Sequence, residues 1–204
     1  FKTATGSLLA APTEKIRIGP TGELGIGGAT FGTAGQALLS GGAGATVTWG
    51  SAGGNNAPAF QVARNSPHQS ITDDTLTKVE FNREVYDPDG VFDSTTNYRF
   101  TVPTGEGGNY LVGGSLHVEA ASYTTLSAVG IYVKVNGSDI VYSSVLYGSS
   151  YIRRQNQPWQ SLLVLSEDDY VEVNVLTNTT NLAATDVVGN GTYSYSWFWG
   201  FKLV

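Results

Sequence analysis

The 204 residues are enough for one well-filled core with a surplus left over, so a single domain plus an appendage is expected. With 11 Lys and Arg against 17 Asp and Glu, the net charge is −6; this argues against nucleic acid as a partner, because phosphate binding needs clustered cations to release counterions. No cysteine is present, which excludes a disulfide framework and thiolate metal sites, and the 26 glycines, 11 tyrosines and 14% charged residues favour strands and turns over helices. No run approaches the about 18 apolar residues that span a bilayer, so no membrane insertion is expected. The chain opens at Phe1, without a signal-like segment, and holds no methionine, so residues are expected upstream.

Residues 1–56 are poor in aromatics and dense in Gly, Ala and Thr, and cannot bury enough apolar surface for a core of their own. Gly19, Gly22, Gly25 and Gly28 keep a three-residue period, but so few triplets cannot sustain a collagen helix. A glycine-permissive, intertwined β stalk is the expectation, with a flexible linker as the alternative. Next come Gly32-Thr33-Ala34-Gly35-Gln36-Ala37-Leu38-Leu39-Ser40 and Ala45-Thr46-Val47-Thr48-Trp49, read as two short strands around a turn with Trp49 as a local plug. This order and spacing resembles a short motif of bacteriophage tail-fibre and related virion appendage proteins.

From Ala57 to Val204 the pattern becomes strands broken by turn residues, the signature of a sandwich or barrel. Tyr110, Val112, Gly114, Leu116, Val118 and Ala120 share one face of a strand, with Ser115, His117 and Glu119 on the other. Ile131, Val133 and Val135 run into Asn136-Gly137, the dipeptide that favours a type I′ hairpin, and Ile140 and Tyr142 carry the return strand. Val171, Val173 and Val175 repeat the alternation. In the last strand Tyr193, Tyr195, Trp197, Trp199, Phe201 and Leu203 occupy one face, which predicts core or subunit interface rather than a ligand platform.

These landmarks resemble the C1q-like domain of the C1q/tumour-necrosis-factor family over Ala59 to Val204. The resembling residues begin with Ala59-Phe60, Val79-Glu80-Phe81-Asn82, Tyr86-Asp87, Gly90, Phe92 and Asp93, and continue through Phe100, Val102-Pro103, Gly108, Tyr110, Val112, Ile131, Val133 and Asn136-Gly137. Leu163, Leu165, Asp169-Tyr170-Val171, Phe198, Gly200, Phe201 and Leu203 complete them. The resemblance implies an all-β fold: a ten-stranded jelly-roll sandwich head, assembled as a homotrimer, with a stalk at its base where the glycine-rich segment lies. Glu167-Asp168-Asp169 departs from the family's usual small residue and Gly, so that turn is expected to differ. The segments Ser143 to Pro158 and Thr177 to Thr192 read as loops and carry no family pattern.

Chemistry has few carriers. His68 and His117 are the histidines, and no nucleophile elbow or phosphate loop is present, so no enzymatic activity, catalytic residue or cofactor is expected. Glu80, Glu84, Asp87 and Asp93 offer carboxylate pairs of the kind any acidic surface has. Asp87, Asp89 and Asp93 surround a turn, read as structural with Ca²⁺ as the alternative; no metal site is assigned. Tyr147, Tyr151, Arg153, Arg154, Gln157 and Trp159 mix aromatics, guanidinium groups and amides, a blend suited to sugar or protein recognition, or to packing a trimer. The expected role is thus a non-enzymatic virion appendage, a phage tail fibre, spike or capsid fibre, located on the extracellular virion. Its partners would be two further copies of itself, other virion proteins through the stalk, and a host surface glycan or protein. The alternatives are a secreted or cell-surface C1q-like binding module of cellular origin and a purely structural decoration protein.

Overall fold

The alternation of apolar and polar residues carries through into strands. The computed structural model describes residues 2–3, 13–51, 56–122, 125–148 and 151–203, and among them every regular element is β. No helix among the described residues is long and apolar enough to cross a membrane. Phe1, from which missing upstream residues were inferred, and Val204, where the family resemblance ends, lie outside the described residues, as does part of the stalk expected over 1–56.

The chain divides into two compact units, 1–55 and 56–204. In the first, three antiparallel pairs follow one another: β1 (Lys2–Thr3) with β2 (Thr13–Glu14), β3 (Ile16–Ile18) with β4 (Leu24–Ile26), and β5 (Gln36–Leu39) with β6 (Thr48–Ser51). The glycine triplets serve a hairpin: Gly22 lies in the β3–β4 turn and Gly25 inside β4. The tail-fibre-like motif forms β5 and β6, and Trp49 is tied down by its indole N–H, which donates to the Thr30 carbonyl at 2.9 Å. Ile18 is 75% exposed, so within one chain this unit leaves apolar surface uncovered.

The second unit comprises β7 (Ala59–Ala63), β8 (Gln69–Ile71), β9 (Thr77–Lys78), β10 (Arg83–Tyr86), β11 (Phe92–Asp93), β12 (Arg99–Thr101), β13 (Gly108–Ala120), β14 (Leu126–Val135), β15 (Ser138–Leu146), β16 (Arg154–Leu165), β17 (Tyr170–Thr179), β18 (Thr185–Val187) and β19 (Trp197–Lys202). One sheet runs β10-β7-β19-β13-β18-β8, and β16 pairs with β13 along nearly its whole length. β19 meets β13 at residues 110–115 and β18 meets it at 118–120, so these two lie end to end on the edge opposite β16. β7 and β8 continue the same two ranks. The other sheet runs β11-β12-β17-β14-β15, with β9 on β17. Counted by rank, the described strands form two five-deep sheets, the ten positions of the expected jelly roll.

The core lies between the sheets. Tyr110, Val112, Leu116 and Val118 of β13 and Val129, Ile131 and Val133 of β14 point inward with no exposure, as the period-two pattern predicts. An aromatic cluster fills the centre: Phe60 stacks on Phe100 at 4.8 Å and meets Phe198 edge-on at 4.9 Å. The Tyr110 hydroxyl donates to the Glu106 carbonyl at 2.7 Å. Burial, with the negative charge of Glu106 adding, pushes the Tyr110 phenol up to about 12. At the β14–β15 hairpin Asn136 and Gly137 both take positive φ, 52° and 80°, as a type I′ turn requires. Ile140 and Tyr142 do lie on the return strand, but on its outer face, 55% and 59% exposed, because a register shift at Val133/Lys134 leaves Val141 and Val145 against the core.

Two readings are corrected here. The segments expected to be loops contain strands: Ser143–Leu146 belongs to β15, Arg154–Pro158 to β16, and residues 177–179 and 185–187 to β17 and β18. Pro158 is compatible with β16 because β16 is an edge strand and needs no ladder N–H there. For the aromatic stripe of the last strand, expected as core or subunit interface, the core alternative is the part that falls. The inward residues of β19 are Phe198, fully buried, and Gly200, while Trp197, Trp199 and Phe201 stand half-buried on the outer face; Tyr195, just before the strand, is 42% exposed.

Candidate functional site

The outer face of the β13 sheet is organised in cross-strand rows set by its register. Phe201, Leu111 and Leu162 form one row; Trp199, Gly113 and Gln160 the next; Trp197, Ser115 and Pro158 a third. Trp199 and Phe201 stack at 5.7 Å, and Leu162 and Val164 on β16 are 59% and 81% exposed. The half of this face around residues 109–115 of β13 is therefore a broad apolar surface.

Farther along β13 the character changes. His117 and Glu119 follow on the same outer face, and with Tyr195, Arg154, His68 and Val188 they line a pocket of about 300 Å³. The main chain fixes each contributor. The Val188 N–H donates to the His117 carbonyl at 2.8 Å, and the His117 N–H donates to the Ser196 hydroxyl at 3.0 Å, which anchors the residue after Tyr195. The His68 Nδ1 accepts the Gly189 N–H at 3.1 Å, leaving Nε2 as the ring's donor. The imidazole of His117 lies 5.6 Å from the Tyr195 ring.

Glu119 is the electrostatic hub. Arg154 Nε reaches its Oε2 at 3.0 Å and Arg154 donates a second bond to Oε1 at 3.0 Å, while Arg153 approaches Oε1 at 2.6 Å. Hydrogen bonding from Arg154, with the positive charges of Arg153 and Arg154, holds the Glu119 carboxyl below the usual carboxylate range. Burial pulls His117 below the ordinary imidazole value of 6.5; Arg154 and His68 add to this and Glu119 opposes it.

Only part of the predicted recognition segment meets here. Arg154 lines the pocket and Arg153 reaches its carboxylate. Tyr147 and Gln157 instead join a polar ladder between β15 and β16: Tyr147 donates to Gln155, and Gln157 donates to the Ser143 hydroxyl at 2.8 Å. Tyr151 is 37% exposed. Trp159 has to be removed from the receptor-binding set, since it is 7% exposed and packs 5.5 Å from Phe198 inside the sandwich. The cause is its neighbour Gly114, where a Cβ would meet the indole at 3.2 Å; the missing side chain makes room for the ring. His68, His117, Glu119, Val188 and Tyr195 were not recognised as a site. The available signal was the shared outward phase of His117 and Glu119, and it required seeing Arg154 as a strand residue opposite Glu119.

At the Asp87–Asp93 turn the Asp87 and Asp93 carboxylates are turned back onto the main chain, and Asp89 is exposed. Asp87 accepts the Val91 and Phe92 N–H groups, each at 3.0 Å, and Asp93 accepts those of Thr95, Thr96 and Asn97. Asp89, Asp93 and Asp168 border an open hollow of about 420 Å³. Among the described residues no group of three or more His, Cys, Asp or Glu side chains is placed to hold a metal ion.

Two solved structures are similar to this chain. Eiger TNF from S. frugiperda matches with a TM-score of 0.50 at 12% identity, over 72% of this chain and 92% of that one. The head is a C1q/TNF-like jelly roll. The globular domain of zebrafish complement 1qA protein matches at 17% identity over 72% of this chain and 98% of that one, with a TM-score of 0.49. At such identities the likeness is one of fold. No family model matches the chain, and no curated protein matches it. In this jelly roll the apolar rows and the polar pocket occupy one continuous sheet face.

Proposed function

We propose that this chain is a non-enzymatic, homotrimeric virion appendage, a tail fibre, spike or capsid fibre, whose jelly-roll head binds the host surface and whose 1–56 segment joins it to other virion proteins. The observation that carries the reading is the apolar outer face on which Trp197, Trp199, Phe201 and Leu111 stand half-buried beside the exposed Leu162 and Val164. A face of this kind on a head that is otherwise well filled suits burial against further copies of itself. The tail-fibre-like motif, folded as β5 and β6, supports the virion setting. In the pocket, the carboxylate that a general acid or base would need is held by two guanidinium groups, which supports binding over catalysis. Three weak head sites on one stalk gain effective concentration from being linked, so adsorption is firm while each contact is poor.

The test uses particles from the source culture. An antibody against the chain should label them, and the purified full chain should block their adsorption to host cells. Labelling confined to cell surfaces or secreted material would overturn the virion assignment in favour of a cellular binding module. Labelled particles whose adsorption is unaffected would reduce the protein to structural decoration.

A further inference from the structure

The pocket beside Tyr195 has three properties that together define a ligand class. Its charges are balanced: the carboxylate and the guanidinium that line it, Glu119 and Arg154, are paired with each other. A phosphate or a free carboxylate would enter a site whose cations already have an anionic partner, so the matching ligand is neutral. Hydrogen-bonding capacity nevertheless remains. Of the roughly four lone-pair sites on a carboxylate, Arg153 and Arg154 occupy two on Oε1 and one on Oε2, which leaves an acceptor position on Oε2. His68 Nε2 adds a donor. Finally, the walls include apolar and aromatic surface, the Val188 side chain and the part-exposed Tyr195 ring held beside His117.

A neutral molecule that presents a flat C–H face on one side and adjacent hydroxyls on its edge meets all three demands. We propose that this pocket binds a single neutral pyranose residue of a surface glycan, its C–H face against Tyr195 and its hydroxyls shared between Glu119, Arg154 and the imidazoles. The volume of about 300 Å³ lies at the lower end of ligand pockets and suits one ring with the rest of the glycan outside. The site lies next to the apolar rows on the same sheet face. It rests on the reading of the head as a host-surface binder and assigns the chemistry of that contact.

The experiment is saturation-transfer NMR on the full chain, with the methyl glycosides of glucose, galactose, mannose and N-acetylglucosamine as probes and methyl glucuronide as the charged comparator. Transfer should reach the ring protons of at least one neutral glycoside, concentrated on one ring face, and should exceed that to the glucuronide. Affinity for that glycoside should drop about tenfold in Glu119→Gln, which removes a charge-assisted hydrogen bond, and in Tyr195→Ala, which removes the stacking surface. Glu119→Gln keeps the side chain's size, and Tyr195 is half-exposed, so a backbone NMR spectrum matching the parent's is expected for both. Absence of transfer from every neutral glycoside overturns the proposal, as does transfer that both variants leave unchanged. Adsorption blocking by the same protein separates the two claims. A parent that blocks adsorption yet binds no glycoside sinks only the sugar pocket; a parent that binds a glycoside but blocks nothing sinks the host-binding reading and leaves the pocket standing.

Discussion

Asp93 accepts the backbone N–H groups of Thr95, Thr96 and Asn97 together with the Asn97 side-chain amide, and these bonds hold its carboxyl well below the ordinary 3.8. Because the folded value is depressed, the unfolded chain takes up a proton first as pH falls; the stabilisation is complete well above 3.8 and is lost on the acid side of it. Asp93→Ala should therefore cost about 1 kcal/mol at neutral pH, discounted for the solvent exposure of the site. In urea unfolding followed from pH 7 to pH 2, the gap between parent and variant should stay flat above about pH 5 and narrow below it. A gap that persists unchanged at pH 2 would show that the carboxylate's charge is irrelevant to the turn. From the sequence, the carboxylates at 87, 89 and 93 are legible as a turn, but the direction their oxygens face is not, since that depends on how the 94–97 backbone curls back. His68 and His117 were hidden for a different reason. They are far apart in the chain, and they meet because β8 and β18 continue the ranks beside β13.

Within β19, alternation correctly separates two faces, and of the two places expected for the aromatic one, core or subunit interface, the core is excluded. The odd positions carry Trp197, Trp199 and Phe201, whereas the core receives only Phe198 and the space beside Gly200. A rule that places the more apolar face inside fails on a strand whose outer face is itself apolar. β13, β14 and β17 were legible because their outer faces are polar or mixed, so the two criteria agree. β16 was not, because Pro158 and the run of Arg, Gln and Asn before it read as loop chemistry, and only an edge position reconciles them with a strand. The observed phase of β19 is testable through Phe198, which touches Phe60, Phe81, Phe92 and Trp159. Phe198→Ala should lower the unfolding free energy by about 3–5 kcal/mol, the range for deleting a buried aromatic ring. If chemical denaturation instead shows a loss no larger than that of a surface substitution, the strand is in the opposite phase and the aromatic stripe faces the core after all.

For the molecule as a whole, the apolar rows of the β13 sheet and the uncovered apolar residues of the first unit pose the same physical problem, surface that a lone chain leaves in water. Association is the remedy proposed for both, and it makes stability depend on concentration. Anything that binds the folded chain and not the unfolded one, a second copy included, raises the melting temperature by mass action. Light scattering after size exclusion should give three times the 21.5 kDa of one chain, and thermal unfolding should shift upward as protein concentration rises. Trp199→Glu combined with Phe201→Glu puts two charges in the stacked pair at the middle of the rows, where burial without a partner is prohibitive. Since both side chains point away from the core, the double variant should keep the jelly roll, run as a 21.5 kDa species and melt at a temperature independent of concentration. A parent of single-chain mass removes the trimer and the avidity it supplies. A double variant that still assembles keeps the trimer but moves its interface to another face, with the pocket beside Tyr195 the first surface to re-examine for burial.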